Sequence, residues 1–122
     1  SKNNPYFYTM YAYVRCCSIL EKKKPNLDKN LDKDELLKNY DLISKIINFP
    51  IYLEKFSSER SPHSLVHFTK ELAANYHSFY EQNSVITDNQ EESNARLLIT
   101  KATSIVLKNS FKIIGVTPLE KM

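Results

Sequence analysis

Glycine occurs once in this 122-residue sequence, at position 115, and tryptophan does not occur at all. Strands joined by tight turns need positive φ about every 8–12 residues, so one glycine excludes β-sandwiches and barrels. The same scarcity excludes glycine-rich phosphate loops of the Walker or Rossmann kind, and with them a self-contained nucleotide-binding enzyme. The two cysteines, Cys16 and Cys17, are adjacent. Neighbouring cysteines make a poor disulfide pair, and no C-x-x-C spacing offers a metal site, so a reduced, cytoplasmic chain is expected. No apolar run approaches the ~20 residues of a membrane span, and no basic-then-apolar leader opens the sequence. No membrane partner is expected.

What is present suits a globular domain. Hydrophobic residues make up 42% and charged residues 25%, unlike a disordered chain. The length suits one domain and buries enough surface to fold without disulfides or metal. Net charge is only +3, too small to imply nucleic acid by itself. Its distribution says more. Residues 1–24 hold five basic groups against Glu21 alone, and the remainder of the chain is slightly acidic. That basic end also carries Tyr6, Tyr8, Tyr11 and Tyr13, half of the tyrosines. Basic charge mixed with aromatics is the composition of a surface that meets single-stranded nucleic acid.

Helical periodicity organises the whole chain. From about Pro5 to Lys23, Met10, Tyr13, Val14, Cys17 and Leu20 fall on one arc expected to face a core, while Tyr8, Tyr11, Arg15 and Lys22 fall on another. Lys22-Lys23-Lys24-Pro25 ends this helix, because lysine suits the C-terminal dipole and proline cannot continue it. A polar loop follows over 25–33. Asp32 or Asp34 caps a second helix with Leu36, Tyr40, Ile43 and Ile47 on one stripe. Pro50 should break it near Phe49, after which a helical pattern runs to about Arg60. Ser61-Pro62 reads as the start of a helix lined by Leu65, Phe68, Leu72, Tyr76 and Phe79. After a loop at 83–89, a capping box at Thr87/Gln90 or Asp88/Glu91 opens the last helix. Its stripe is Ala95, Leu98, Ile99, Ala102, Ile105, Val106 and Ile113, and Gly115 ends it. The expected fold is all-α, a bundle of four to five helices.

Catalytic patterns are missing. His63 and His67 stand four apart, but there is no H-E-x-x-H and no third ligand, so no metal is expected. No serine or cysteine stands in a nucleophile motif. No catalytic residue is therefore assigned. The arc of Tyr8, Tyr11 and Arg15 has a specific use: aromatic faces and guanidinium planes stack on bases splayed from single-stranded RNA loops, and arginine adds a bidentate contact. The same spacing also fits two tyrosines covering a neighbouring helix, with Arg15 paired to an acid. Lys22 and Lys23 would offer phosphate contacts.

The segment Asn4-Pro5-Tyr6-Phe7-Tyr8-Thr9-Met10-Tyr11-Ala12-Tyr13-Val14-Arg15 resembles the opening helix of the C-terminal anticodon-binding (DALR) domain of arginyl-tRNA synthetases. Leu72-Ala73-Ala74-Asn75-Tyr76-His77-Ser78-Phe79-Tyr80 is similar to the family's second signature, Asn94-Ala95-Arg96-Leu97 with Leu107-Lys108 to its last helix, and Gly115–Met122 to its terminus. These four likenesses keep the family's order and span nearly the whole chain, 1–122. Met10 stands where the family usually has Gln. The resemblance implies a helical anticodon-binding domain of a class I synthetase, which ligates arginine to tRNA with ATP. It also implies that the anticodon stem-loop of tRNA-Arg is met by Tyr8, Tyr11, Arg15, Tyr80 and Met122. The ATP motifs and Rossmann fold of the catalytic domain are absent here. ATP and magnesium would belong to that domain, expected upstream as the partner of this one in a monomeric enzyme. The competing reading is a helical protein–protein interaction module without RNA binding, which would show an apolar patch on the same arc.

Overall fold

The computed structural model describes residues 5–59 and 63–122. Six helices follow one another: α1 (Phe7–Lys22), α2 (Lys33–Lys38), α3 (Tyr40–Ile47), α4 (Phe49–Glu59), α5 (His63–Gln82) and α6 (Gln90–Ile114). No strand occurs among the described residues, and the all-α bundle expected from the sequence is what forms. Counting α2 and α3 as the one expected second helix, broken at Asn39, gives five. The break comes from the Asn39 side chain, whose Nδ2 donates to the Glu35 carbonyl at 2.8 Å. An asparagine that satisfies a neighbouring carbonyl competes with the helix for it. Asn48 separates α3 from α4, leaving Pro50 in the first turn of α4, where its missing N–H costs nothing. The helix start expected at Ser61-Pro62 lies outside the described residues.

The long helices α1, α5 and α6 pack on one another, and α2 to α4 cover the remaining sides of α5 and α6. Leu65, Phe68, Leu72, Tyr76 and Phe79 are all buried on α5, as their spacing predicts. Phe49 and Tyr52 stack on Phe68, with ring centroids 5.8 and 4.5 Å apart, and so dock α4. At the centre, Tyr76 bonds Thr100 Oγ1 at 2.9 Å. The threonine proton goes to the Arg96 carbonyl, so the tyrosine is the donor. Burial pushes the Tyr76 hydroxyl and the neighbouring Cys16 thiol far above their ordinary titration ranges, and both stay neutral. Gly115 closes α6 with φ of 92°, the left-handed conformation, and Val116 N–H reaches back to the Phe111 carbonyl.

Four expectations are corrected. On α1 the buried arc is centred on Thr9, Ala12 and Cys16, with Met10 and Tyr13 on its flank, whereas Val14, Cys17 and Leu20 are only half-buried. On α3 the buried residue is Leu42, and Tyr40 and Ile47 face outward. On α6 the interior face carries Thr100, Thr103, Leu107 and Phe111, while Ile105 and Ile113 are exposed. Thr100 and Thr103 return their hydroxyl protons to the carbonyls four residues back, so they bury without an unsatisfied donor. The N-cap of α6 is Asn89, which accepts from Glu92 N–H, not Thr87 or Asp88. Thr87 instead bonds the Glu92 carboxylate.

One buried ion pair fastens α2 to α6. Glu35 accepts from Arg96 Nε at 2.6 Å, and Arg96 also donates to the Ser84 carbonyl at 2.8 Å. The Arg96 hydrogen bond holds the Glu35 carboxyl below its ordinary value, against the opposing effect of burial. A depressed folded-state pKa contributes stability above the unfolded value, about 4.3, and that contribution disappears as pH falls through the folded value. Thermal melts from pH 7 to pH 3 should therefore fall off at the acidic end. Glu35→Gln should cost up to about 3 kcal/mol at neutral pH and flatten that acid limb, because Arg96 then keeps only the more exposed Glu92, at 3.4 Å, as a charged partner. An unchanged acid limb in the variant would mean that the pair is not what titrates.

Candidate nucleic-acid interface

Burying Thr9, Ala12 and Cys16 turns the opposite side of α1 to solvent, and Tyr8, Tyr11 and Arg15 stand there at i, i+3 and i+7. Tyr8 is 71% exposed and Tyr11 41%, an unusual display for two large rings. Helix α5 runs alongside. Its inward face of Leu72, Tyr76 and Phe79 leaves Ala74, His77, Tyr80 and Glu81 at the edge of the seam with α1. Residues of both helices line a cleft of about 470 Å³.

Arg15 is the centre of the arrangement. Its guanidinium carbon lies 3.9 Å from the Tyr80 ring centre and 4.8 Å from that of Tyr11. Both distances are within cation–π range. One terminal nitrogen donates to His77 Nδ1 at 3.0 Å. Arginine only donates, so Nδ1 is the acceptor and the imidazole proton sits on Nε2. That proton is given to the Tyr8 carbonyl at 2.8 Å. The His77 ring also lies tilted against Tyr11, with centroids 5.9 Å apart. Phe7 meets Tyr8 edge-on at 5.3 Å and supports it from the side. The guanidinium plane is thus held in place by two rings and, among the described residues, one hydrogen bond.

Four of the residues named from sequence, Tyr8, Tyr11, Arg15 and Tyr80, come together here. Arg15 pairs with an imidazole and two rings, not with an acid. Lys22 and Lys23 are exposed at the far end of α1, and Lys23 lines a shallow pocket with Lys24 and Lys29. Met122 stands apart from the cleft. It is 55% exposed, and its neighbours Glu120 and Lys121 line the furrow between α1 and α6 beside Tyr13 and Cys17. Leu119 N–H anchors this tail on Met10 Sδ at 3.3 Å. His77 and Glu81 were not singled out as site residues from sequence. Helical spacing is the signal that would have found them: His77 stands three residues before Tyr80, and Glu81 four after His77. Elsewhere, His67 bonds Glu71 at 2.9 Å, and Glu71 also meets Lys45. Among the described residues no group of three or more His, Cys, Asp or Glu could hold a metal ion.

Residues 9–122 match the family model of the DALR anticodon binding domain. The chain is 38% identical over 128 residues to arginine–tRNA ligase 1 of Halalkalibacterium halodurans, a match covering all of this chain and 23% of that protein. The arginine–tRNA ligase of Bacillus subtilis is likewise 38% identical, with the same coverage. The chain therefore spans about a quarter of the length of the curated relatives it matches. The arginyl-tRNA synthetase structure of Thermus thermophilus shares the fold, with a TM-score of 0.78 at 23% identity over 94% of this chain and 21% of that one.

The geometry of the cleft is testable without any ligand. His77→Phe keeps a ring against Tyr11 but removes the acceptor for Arg15 and the donor to Tyr8. It should cost about 1 kcal/mol in thermal stability. The Arg15 guanidinium protons, followed by NMR, should lose their protection from water exchange. Protection that survives the substitution would show that His77 does not hold Arg15.

Proposed function

The chain belongs to the DALR anticodon-binding domain family, and from that premise we propose that it reads the anticodon loop of tRNA-Arg as part of an arginine–tRNA ligase. The observation that carries this reading is the Arg15 guanidinium held between the Tyr11 and Tyr80 rings on an exposed face. Bases unstacked from a tRNA loop need flat apolar faces and edge contacts at once. Tyr8 and Tyr11 offer the faces. Arg15, with its remaining donors, and the Glu81 carboxylate in the same cleft offer contacts to base edges or phosphate. Lys22 and Lys23 extend positive charge along α1 toward the stem. Met122 joins the set through the family resemblance. It lies three residues beyond the Leu119 anchor on Met10 of α1.

Arginine activation, with its ATP and magnesium, falls on this reading to the part of the ligase outside this chain. The residues present do not fit ATP, because the lone glycine caps α6 and no glycine-rich loop exists. The assembly would be a monomeric, cytoplasmic enzyme. No helix of the described residues is long and apolar enough to cross a membrane. An interaction module without RNA binding is the weaker reading, since α1 continues from its tyrosines and Arg15 into the exposed Lys22 and Lys23, and protein interfaces are depleted in lysine.

Titration of the chain with a tRNA-Arg anticodon stem-loop tests the proposal. Tyr8→Ala, Tyr11→Ala and Arg15→Ala should each weaken binding by about five- to 150-fold, the equivalent of 1–3 kcal/mol per stacked base. Tyr8→Ala and Tyr11→Ala should leave the melting temperature nearly unchanged, because both rings are exposed, whereas Arg15→Ala, which gives up its hydrogen bond to His77, should also cost about 1 kcal/mol in stability. Met10→Ala should do the reverse, at a cost of about 2–5 kcal/mol in stability. Removing Met122 should lower affinity at unchanged melting temperature. The log–log salt dependence should have a slope of about −0.7 per phosphate contacted. Saturable binding to another protein, with a flat stem-loop titration at low salt, would overturn the proposal.

A further inference from the structure

Five positions that helical spacing assigns to a core, Tyr40, Ile43, Ile47, Leu98 and Ala102, face one another across an open groove between α2–α3 and α6. The groove holds about 740 Å³ and its walls are almost entirely apolar. Tyr40 is 65% exposed, Ile47 68% and neighbouring Leu37 70%. Helices that end against water carry polar residues on that side. Here two helix faces turn core-like stripes toward each other, and none of the described residues fills the space between them. Contiguous apolar surface of this kind marks an interaction site.

The groove shares no helix with the tyrosine cleft, which α1 and α5 build, so a partner seated in it leaves the RNA face free. The relatives' length indicates the partner. Matches covering all of this chain cover 23% of those proteins, so about three-quarters of such a ligase lies outside it and is covalently tethered to it. A tether supplies an effective concentration in the millimolar range, at which modest apolar contact suffices for docking. A second copy of this chain has no such advantage. Resting on the ligase reading above, we propose that this groove is the docking face for the remainder of the ligase chain. It receives an apolar ridge of the neighbouring catalytic domain and fixes the orientation of the anticodon cleft relative to the active site.

Maleimide labelling of the full-length ligase tests this, with Leu37→Cys, Tyr40→Cys and, as a reference on the exposed 25–33 loop, Leu27→Cys (76% exposed). All three side chains project outward, so none of the substitutions removes core packing. Rates are read peptide by peptide by mass spectrometry. Positions 37 and 40 should react about tenfold or more slowly than position 27, and the difference should persist on about a hundredfold dilution of the ligase. Equal rates at the three positions overturn the proposal. Protection that fades on dilution also overturns it, and assigns the groove to a second copy. Stem-loop binding measured on the same ligase separates the two readings. Fast labelling with intact binding removes the docking face alone, whereas slow labelling without binding supports the docking face and removes the anticodon reading.

Discussion

Two small side chains set the rotation of α1, and the candidate site follows from that rotation. Ala12 and Cys16, one turn apart, are fully buried where α1 meets α5 and α6. Neither site has room for a larger residue without displacing a helix, an overpacking that costs about 1–3 kcal/mol. With these two held inward, i, i+3 and i+7 geometry leaves Tyr8, Tyr11 and Arg15 no position but the outside. Cys16 lies against Tyr76, Tyr76 donates to Thr100, and Thr100 donates to the Arg96 carbonyl. Arg96 in turn grips Glu35 of α2. One line of contacts therefore runs from the exposed aromatic helix through the centre of the bundle to its far side.

The bundle was most legible in sequence where large apolar side chains alone fill the interior. On α5 every expected core residue is buried: Leu65, Phe68, Leu72 and Phe79 need no polar partner to form a stripe, and the Tyr76 hydroxyl finds one in Thr100. On α1 the buried arc was displaced, since Thr9, Ala12 and Cys16 weigh little in an apolar count and still make the closest helix contacts. On α6 the interior holds Thr100 and Thr103, whose hydroxyls are satisfied by their own helix. Counting hydrophobic residues overlooks such positions and favours Leu98, Ala102 and Ile105 in their place. The break at Asn39 has no proline or glycine to announce it. It depends on one side-chain amide finding one carbonyl.

The tyrosine arc was legible for a different reason: spacing alone puts Tyr8, Tyr11 and Arg15 on one face. Spacing could not say what Arg15 would meet, because Tyr80 and His77 arrive from a helix more than sixty residues away. That long-range approach turns a suggestive arc into a defined cleft. The imidazole serves it better than a carboxylate would, since a neutral acceptor orients the guanidinium without cancelling its charge. Part of the α3 and α6 stripes carries its own meaning. Ala95, Ile99 and Val106 are buried as their spacing predicts, whereas Tyr40, Ile47, Leu98 and Ala102 line an open groove, the pattern of a surface that a partner completes.

Ring resonances of the tyrosines offer the most direct test of the central claim, that packing of Ala12 and Cys16 turns an aromatic–guanidinium surface outward to stack on RNA bases. With selectively labelled tyrosine and arginine, a tRNA-Arg anticodon stem-loop is added to saturation and the spectra are followed. The account requires upfield movement of the Tyr8 and Tyr11 ring signals, with a concerted shift of Arg15 Nε, while Tyr40 in the apolar groove and Tyr52 beneath α4 stay in place. Saturable binding that leaves Tyr8 and Tyr11 unmoved, or that moves Tyr40 instead, would contradict it.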